Sequence, residues 1–429
     1  MEEDIQIHSD SSIKNPTGVK ERLELAIEKA SKRLKYEAAH DEDIIRALKV
    51  VEDFIKRKKR VCYGGTAMNA ILPASEKFYD PELELPDYDF YTPDIESDVK
   101  DLVNELNTAG FKDVYHKIGI HEGTQKVLVN YVPIADVTLI DSELFAVLYR
   151  RSAVRDGVHY TDENILRMMM YLELSRPKGM VERWVKVFER LQLINKFFPI
   201  KGCTKSLPLP PHIPLEIRKT ILDFIIKWKR VLCNGPTVQL YKYGIYRRSA
   251  EFRLQEGGAL VFTSPDPKVD SISLKKSLGD NIVLRRHASR GEIVPERIEI
   301  LKDGKTVCVI IQELACHSYN IFPTADGRKI YIGSLEFLIT LYLSLSIFTN
   351  NAEDIIGKSI LCQVAAFIKL LNLNYRAKNS QFMPFALECR GHQTRYASLL
   401  REKVKRTQKE KNAMIRSLKR ATRKLKNKQ

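Results

Sequence analysis

The segment Lys59-Arg-Val-Cys-Tyr-Gly-Gly-Thr66 returns 170 residues later as Lys229-Arg-Val-Leu-Cys-Asn-Gly-Pro236. Three further pairs follow in the same order. Tyr88-Asp-Phe-Tyr-Thr-Pro-Asp94 matches Leu260-Val-Phe-Thr-Ser-Pro-Asp266 at an offset of 172, and His121–Asn130 matches Lys302–Ile311 at 181. His159-Tyr160 and Met170–Ser175 match Ile330-Tyr331 and Leu341–Ser346 at 171. Four matches in order, at a nearly constant offset, constrain the chain to one structural unit built twice.

Local pattern supplies the elements of each unit. Leu23, Ala26 and Ile27, then Ile44, Ile45, Leu48, Val51 and Ile55, recur at helical spacing and predict two helices between Val19 and Arg60. Residues 1–18 read as unstructured. A strand over 85–91, a helix over 97–109 and a single hairpin strand over 125–140, with Gly123 in the turn before it, follow, then helices over 161–175 and 180–197. Met168-Met-Met170 reads as helix core, as do Trp184, Val187, Phe188 and Leu191. The Pro-rich stretch 201–214 reads as a linker. The expected organisation is an N-terminal helical region (1–58), a first unit with a helical extension (59–200), a linker and connecting helix (201–228), a second unit (229–400) and a basic tail (401–429). The fold class is α+β, with a small mixed sheet in each unit.

Charge and cysteine usage narrow the partners. Net charge is +16, and residues 401–429 supply +11 of it, with 13 Lys or Arg against two Glu. Such a run suits a phosphate backbone, although alone it fits a solvated helix face equally well. No apolar stretch of about 18 residues predicts a membrane span, and the start MEEDIQIHSD lacks a secretory pattern. Seven scattered cysteines without a CxxC pair read as reduced thiols in a cytosol-like compartment, not as a zinc site.

The chemistry concentrates in the first unit. Asp87 and Asp89, two apart in an extended segment, share one face. Held together, they repel unless a cation intervenes, and hard oxygens suit Mg²⁺ or Mn²⁺. Asp136 lies in a second apolar strand between Ile134 and Val137 and can complete a triad able to hold two ions, the clamp used for in-line phosphoryl transfer. Gly64-Gly65-Thr66 opens a helix with room for a phosphate to reach backbone N–H groups. Neither GxxxxGK[ST] nor GxGxxG is present at this turn. Each piece alone has a plain structural reading, as a turn, a loop DxD or an edge charge. Downstream, Ser175, Lys178, Arg183 and Lys186 offer groups for triphosphate oxygens, or else form a solvated helix face.

The order Gly-Gly at a helix entry, DxD, then a lone strand Asp resembles the nucleotidyltransferase signature of the DNA polymerase β superfamily. YGGTAMNAILP, FYDPELELPDYDFYTPD, IHEGTQKVLVN, IADVT and LELSRPKGMVERWVKVFERL resemble the poly(A) polymerase catalytic subunits of nucleocytoplasmic large DNA viruses, strongly over residues 45–200 and loosely beyond. A departure is the insert KFYDPELELP, which lengthens the separation of Gly65 from Asp87. The resemblance implies transfer of AMP from ATP to an RNA 3′-hydroxyl with two Mg²⁺ or Mn²⁺ ions, in the host cytoplasm, a viral factory or the virion. It implies catalysis and metal binding by Asp87, Asp89 and Asp136, and nucleotide contacts from Gly64, Gly65, Thr66, Asn69, Ser175, Lys178 and Lys186. The second unit carries Ala259, Val261 and His317 where the repeat places Asp87, Asp89 and Asp136, so it reads as a degenerate copy kept for RNA binding or for a homodimer contact. A terminal uridylyltransferase, a CCA-adding enzyme and a non-catalytic RNA-binding subunit remain as rival readings.

Overall fold

A computed structural model describes residues 18–200, 212–234, 237–245, 258–290, 293–323, 327–348, 360–394 and 396–426. Residues 1–17, the linker stretch 201–211 and Gly235-Pro236 lie outside these.

The first lobe runs α1 (Val19–Ala39), α2 (Glu42–Lys58), β1 (Val61–Tyr63), α3 (Gly64–Ile71), β2 (Tyr88–Thr92), α4 (Ile95–Thr108), β3 (Val114–Ile118), β4 (Thr124–Val129), β5 (Val132–Leu139), α5 (Ser142–Arg151), β6 (Ala153–Arg155), β7 (Val158–Tyr160), α6 (Glu163–Leu174) and α7 (Trp184–Phe197). The second runs α8 (Leu215–Lys227), β8 (Val231–Leu232), α9 (Thr237–Ile245), β9 (Leu260–Ser264), α10 (Pro267–Leu278), β10 (Ile282–His287), β11 (Arg297–Lys302), β12 (Lys305–Gln312), β13 (His317–Pro323), β14 (Lys329–Gly333), α11 (Leu335–Leu345), α12 (Ile360–Arg376) and β15 (Cys389–Arg390). Helix α13 (Tyr396–Lys426) follows.

The two sheets have one topology. Strand order is β3-β4-β5-β2-β1-β7-β6 in the first and β10-β11-β12-β9-β8-β14-β13 in the second, with β15 added at its edge. In each, two strand pairs are parallel: β1 with β7 and β2 with β5, then β8 with β14 and β9 with β12. The degenerate second copy is therefore present as a fold.

The shared sequence builds shared scaffolding. Lys59 and Lys229, each just past a helix, take left-handed backbone with φ of 54° and 50°. The next residue in each copy makes a buried ion pair. Arg60 Nε donates to Asp98 at 2.5 Å, and Arg230 Nη2 donates to Asp270 at 2.9 Å. Both aspartates are nearly inaccessible, at 0% and 4% exposure, and a buried charge persists only when paired. Asp94 and Asp266 cap α4 and α10 through their side chains.

Register corrects one of the repeat assignments. Asp89 pairs with Asp136 across β2 and β5, and its counterpart Val261 pairs with Val309 across β9 and β12. The counterpart of Asp136 is thus Val309, not His317. The 181-residue match slid by one strand because residues 125–140 are not one strand; left-handed Asn130 and Tyr131 split them into β4 and β5. The conclusion that all three carboxylates are lost stands.

The lobes pack through α6 and α11. All eleven residues of α11 are buried, as expected of a helix apolar on every side. Met168 and Met170 are core residues of α6, and Val187 and Leu191 of α7. Trp184 and Phe188 of α7 meet Phe385, and Phe188 also meets Tyr375, at centroid separations of 5.5–5.9 Å. Ser318 N donates to Ser175 O at 2.8 Å across the junction.

A second correction concerns the thiols. Cys316 and Cys389 form a disulfide, with Cα atoms 5.2 Å apart. Pairing of β13 with β15 sets Ser318 opposite Cys389, and a separation of 73 residues hides this from the sequence. Cys62, Cys233 and Cys308 are buried free thiols. Among the described residues no helix is long and apolar enough to cross a membrane.

Candidate active site

Strand β2 sits centrally in the first sheet, between β1 and β5, and carries the two-residue carboxylate spacing into the middle of the lobe. Asp89 lies directly opposite Asp136 on the parallel neighbour β5. Asp87 precedes the strand and is held there by its backbone. Thr66 Oγ1 donates to Asp87 O at 2.8 Å and accepts from Asp87 N at 3.2 Å. The Thr66 hydroxyl therefore fixes the DxD segment to the start of α3. Behind Asp136, Thr138 Oγ1 is hydrogen-bonded to Tyr63 Oη at 2.9 Å and to Thr124 Oγ1 at 3.0 Å.

The three carboxylates feel one another. Burial first, then the charges of Asp87 and Asp136, push the Asp89 carboxyl up to about 8, against the pull of Lys126 and Arg183. Burial and Asp136 also raise Asp87, again opposed by Lys126. Hard oxygen donors that repel one another in a partly dry site fit divalent cations. As folded, however, they are not a closed cage. Among the described residues no three acidic, His or Cys side chains already stand as a ligand group. Lys126, opposite Asp136 on β4, donates to both Asp136 oxygens, to Oδ1 at 2.7 Å.

Both glycines are required by close approach. Gly64 has φ +74°, and a Cβ there would lie 2.5 Å from Asp89 Oδ2. A Cβ on Gly65 would lie 2.1 Å from Tyr79 Oη and 3.0 Å from Arg190 Nη1. The inserted segment between Gly65 and Asp87 thus folds back over the helix entry. Arg190 secures it, its guanidinium 4.3 Å from the Phe78 ring centroid and 5.3 Å from that of Tyr79.

Other anticipated residues divide. Asn69 Oδ1 accepts from Phe78 N at 2.8 Å and Tyr79 N at 3.2 Å, so this side chain shapes the insert and is not turned to a nucleotide. Ser175 is not brought to the carboxylates. It is fully buried at the lobe junction, with its hydroxyl on Leu172 O at 2.9 Å and near His317 Nδ1 at 3.4 Å. Lys178 is exposed. Lys186 is exposed among cations: Arg190 foremost, then partial desolvation, then Arg183 and Lys35, depress its amine, and Glu84 opposes them. Arg183, Lys186 and Arg190, at spacings of three and four, make one basic stripe. Arg183 also pairs with Glu173 at 3.3 Å. Sequence reasoning missed Arg190, Tyr79 and Lys126. The first was legible as the next step of the stripe; the others depend on a loop path and a hairpin register.

At the level of class this is a two-lobed fold in which both lobes are built on the same order of mixed strands. The chain superposes on the crystal structure of the Megavirus polyadenylate synthase with a TM-score of 0.74, over 93% of this chain and 85% of that one, at 18% identity. More particularly, residues 49–180 match the family described as the poly(A) polymerase catalytic subunit. An Acanthamoeba polyphaga mimivirus protein assigned as such a subunit is 32% identical over 178 residues, 41% of this chain. An African swine fever virus protein assigned likewise is 29% identical over 203 residues, 46% of this chain. These alignments span 30% and 40% of the relatives' own lengths. The resemblance to viral poly(A) polymerase catalytic subunits therefore holds over the carboxylate-bearing lobe.

Proposed function

We propose that the chain is a template-independent nucleotidyltransferase that adds AMP from ATP to RNA 3′ ends. The observation carrying this reading is the register that sets Asp89 beside Asp136, one strand from the Gly64-Gly65 entry of α3, in a lobe that matches the poly(A) polymerase catalytic subunits. Divalent cations held by Asp87, Asp89 and Asp136 would supply Lewis-acid activation of the 3′-hydroxyl and neutralise the leaving pyrophosphate. The 3′-oxygen forms a bond to the α-phosphorus, the bond from that phosphorus to the β-phosphate bridge breaks, and the hydroxyl proton leaves toward Asp136. Backbone N–H groups at Gly64, Gly65 and Thr66 cradle phosphate oxygens at a helix N-terminus. Arg183, Lys186 and Arg190 receive the rest of the triphosphate.

The second lobe, with Ala259, Val261 and Val309 at the ligand positions, holds no such chemistry and serves RNA binding or self-association. Kinship with viral proteins supports a working place in the cytoplasm or virion of a large DNA virus. The test is extension of a labelled oligoribonucleotide with each nucleoside triphosphate separately, in Mg²⁺ or Mn²⁺. A long ladder with ATP alone is expected. A ladder with UTP, or a stop after a few additions, would remove the poly(A) assignment and keep the enzyme class. No product from folded, RNA-binding protein would leave a non-catalytic subunit.

A further inference from the structure

We propose that Lys126 is an internal counterion that competes with a divalent cation for Asp136, so that the metal site fills together with the nucleotide and not before it. This rests on the reading of Asp87, Asp89 and Asp136 as metal ligands.

Lys126 stands opposite Asp136 in the β4–β5 hairpin and holds both of its oxygens. Its ammonium also acts favourably on Asp87 and Asp89. A cation that uses Asp136 must first take that carboxylate from the lysine, which holds both of its oxygens. Alone, the cation loses part of its gain in displacing a fixed positive charge a few ångströms away. A nucleoside triphosphate brings several negative charges and gives the lysine a second anionic partner. Metal and nucleotide then bind with positive coupling, which is reciprocal.

The second lobe is a control built into the same chain. The position equivalent to Lys126, one strand over from Val309, is Glu299. Where the three carboxylates have become Ala259, Val261 and Val309, the lysine has become an acid. The lysine thus stands only in the copy that keeps the carboxylates. Glu299 is instead buried and matched by His287 at 2.7 Å and Arg285 at 3.5 Å, a scaffold cluster with a different electrostatic task.

The test is Mn²⁺ binding to the full chain, followed by electron paramagnetic resonance with and without a non-reactive ATP analogue. Lys126→Met, with Lys126→Gln as a second variant in case the first folds poorly, is expected to bind Mn²⁺ alone roughly tenfold more tightly. Its coupling to the analogue should shrink by a similar factor, and Lys126→Arg should restore wild-type behaviour. Asp136→Asn should change Mn²⁺ affinity little in the wild-type background, where the lysine occupies that carboxylate, and much more in Lys126→Met. Unchanged or weaker Mn²⁺ binding in folded Lys126→Met and Lys126→Gln would overturn the proposal while leaving the site intact. Mn²⁺ binding that also ignores Asp89→Asn would overturn the metal-site reading and this proposal with it.

Discussion

At the scale of single residues, the site is defined by contacts too close to tolerate additions. Asp87→Asn and Asp89→Asn each keep the shape of the side chain and remove a charge. Both are expected to lower single-nucleotide addition by at least about a thousandfold, because the effect is on the transition state and not on folding. Quenched-flow measurement of the first addition, beside a thermal melt, checks this; near-normal rates in either variant would remove these residues from the chemistry. Gly65 offers a finer test. Its missing Cβ leaves room for Tyr79 Oη, while the Tyr79 ring carbon beneath would stand at 3.2 Å. Gly65→Ala should impair activity, and adding Tyr79→Phe should recover part of it, since the deleted oxygen is the worst clash. If the double variant is no better than Gly65→Ala, the insert does not press on the helix entry as placed here.

At the scale of elements, the duplicated Arg60–Asp98 and Arg230–Asp270 pairs tie the residue after a helix to the helix that follows β2 or β9. Asp98→Ala should destabilise the chain by about 3 kcal/mol by orphaning a buried guanidinium, read from denaturant midpoints. Arg60→Met with Asp98→Leu should recover much of that loss. His317 makes a pH-dependent contribution at the lobe junction. It stacks on Phe337 with centroids 4.4 Å apart, and burial, helped by Arg176, holds its imidazole down to about 3. An unfolded histidine titrates near 6.5, so the stability from this group is complete above that pH and is lost as pH falls toward 3. The loss reaches about 2 kcal/mol at pH 5. His317→Gln should narrow the gap between melting temperatures at pH 7 and pH 5; an unchanged gap would place the acid sensitivity elsewhere. These elements also show what was legible beforehand. Helical spacing located α2, α6 and α7, and the DxD spacing marked out the candidate site, because both are local patterns. The β4–β5 turn was not legible, since Asn130-Tyr131 is no glycine turn, and the His317 misassignment followed from it. Ser175 and Asn69 look like ligands in sequence; only the fold shows that one seals a lobe junction and the other shapes a loop.

At the scale of the whole molecule, one carboxylate-bearing lobe is braced by a copy that lacks the carboxylates, and the excess positive charge lies largely outside both. The anticipated basic tail is the greater part of α13, which begins at Tyr396 and packs against β3, the edge strand of the first sheet. Arg406 Nη2 donates to Ile120 O at 3.1 Å and anchors the helix beside that edge. Lys405, Lys409 and Arg416, with Gln408 and Asn412, line one exposed face. A solvated helix needs no anchor of this kind, whereas a rail for a single-stranded polyanion needs both an anchor and a free basic face. On this reading RNA affinity depends steeply on salt, because each phosphate contact adds about 0.7 to the log–log slope for a single strand. Removing residues 401–429 should lower that slope by about two or more, and Lys405→Glu with Lys409→Glu, which preserves the helix, by about 1.4. Addition of one AMP to saturating RNA should be nearly unchanged, since the carboxylates are untouched. Fluorescence anisotropy over a KCl series gives the slope, and gel-resolved products give tail length. A slope unaltered by both variants would make α13 a solvated helix and move the RNA path to the second lobe.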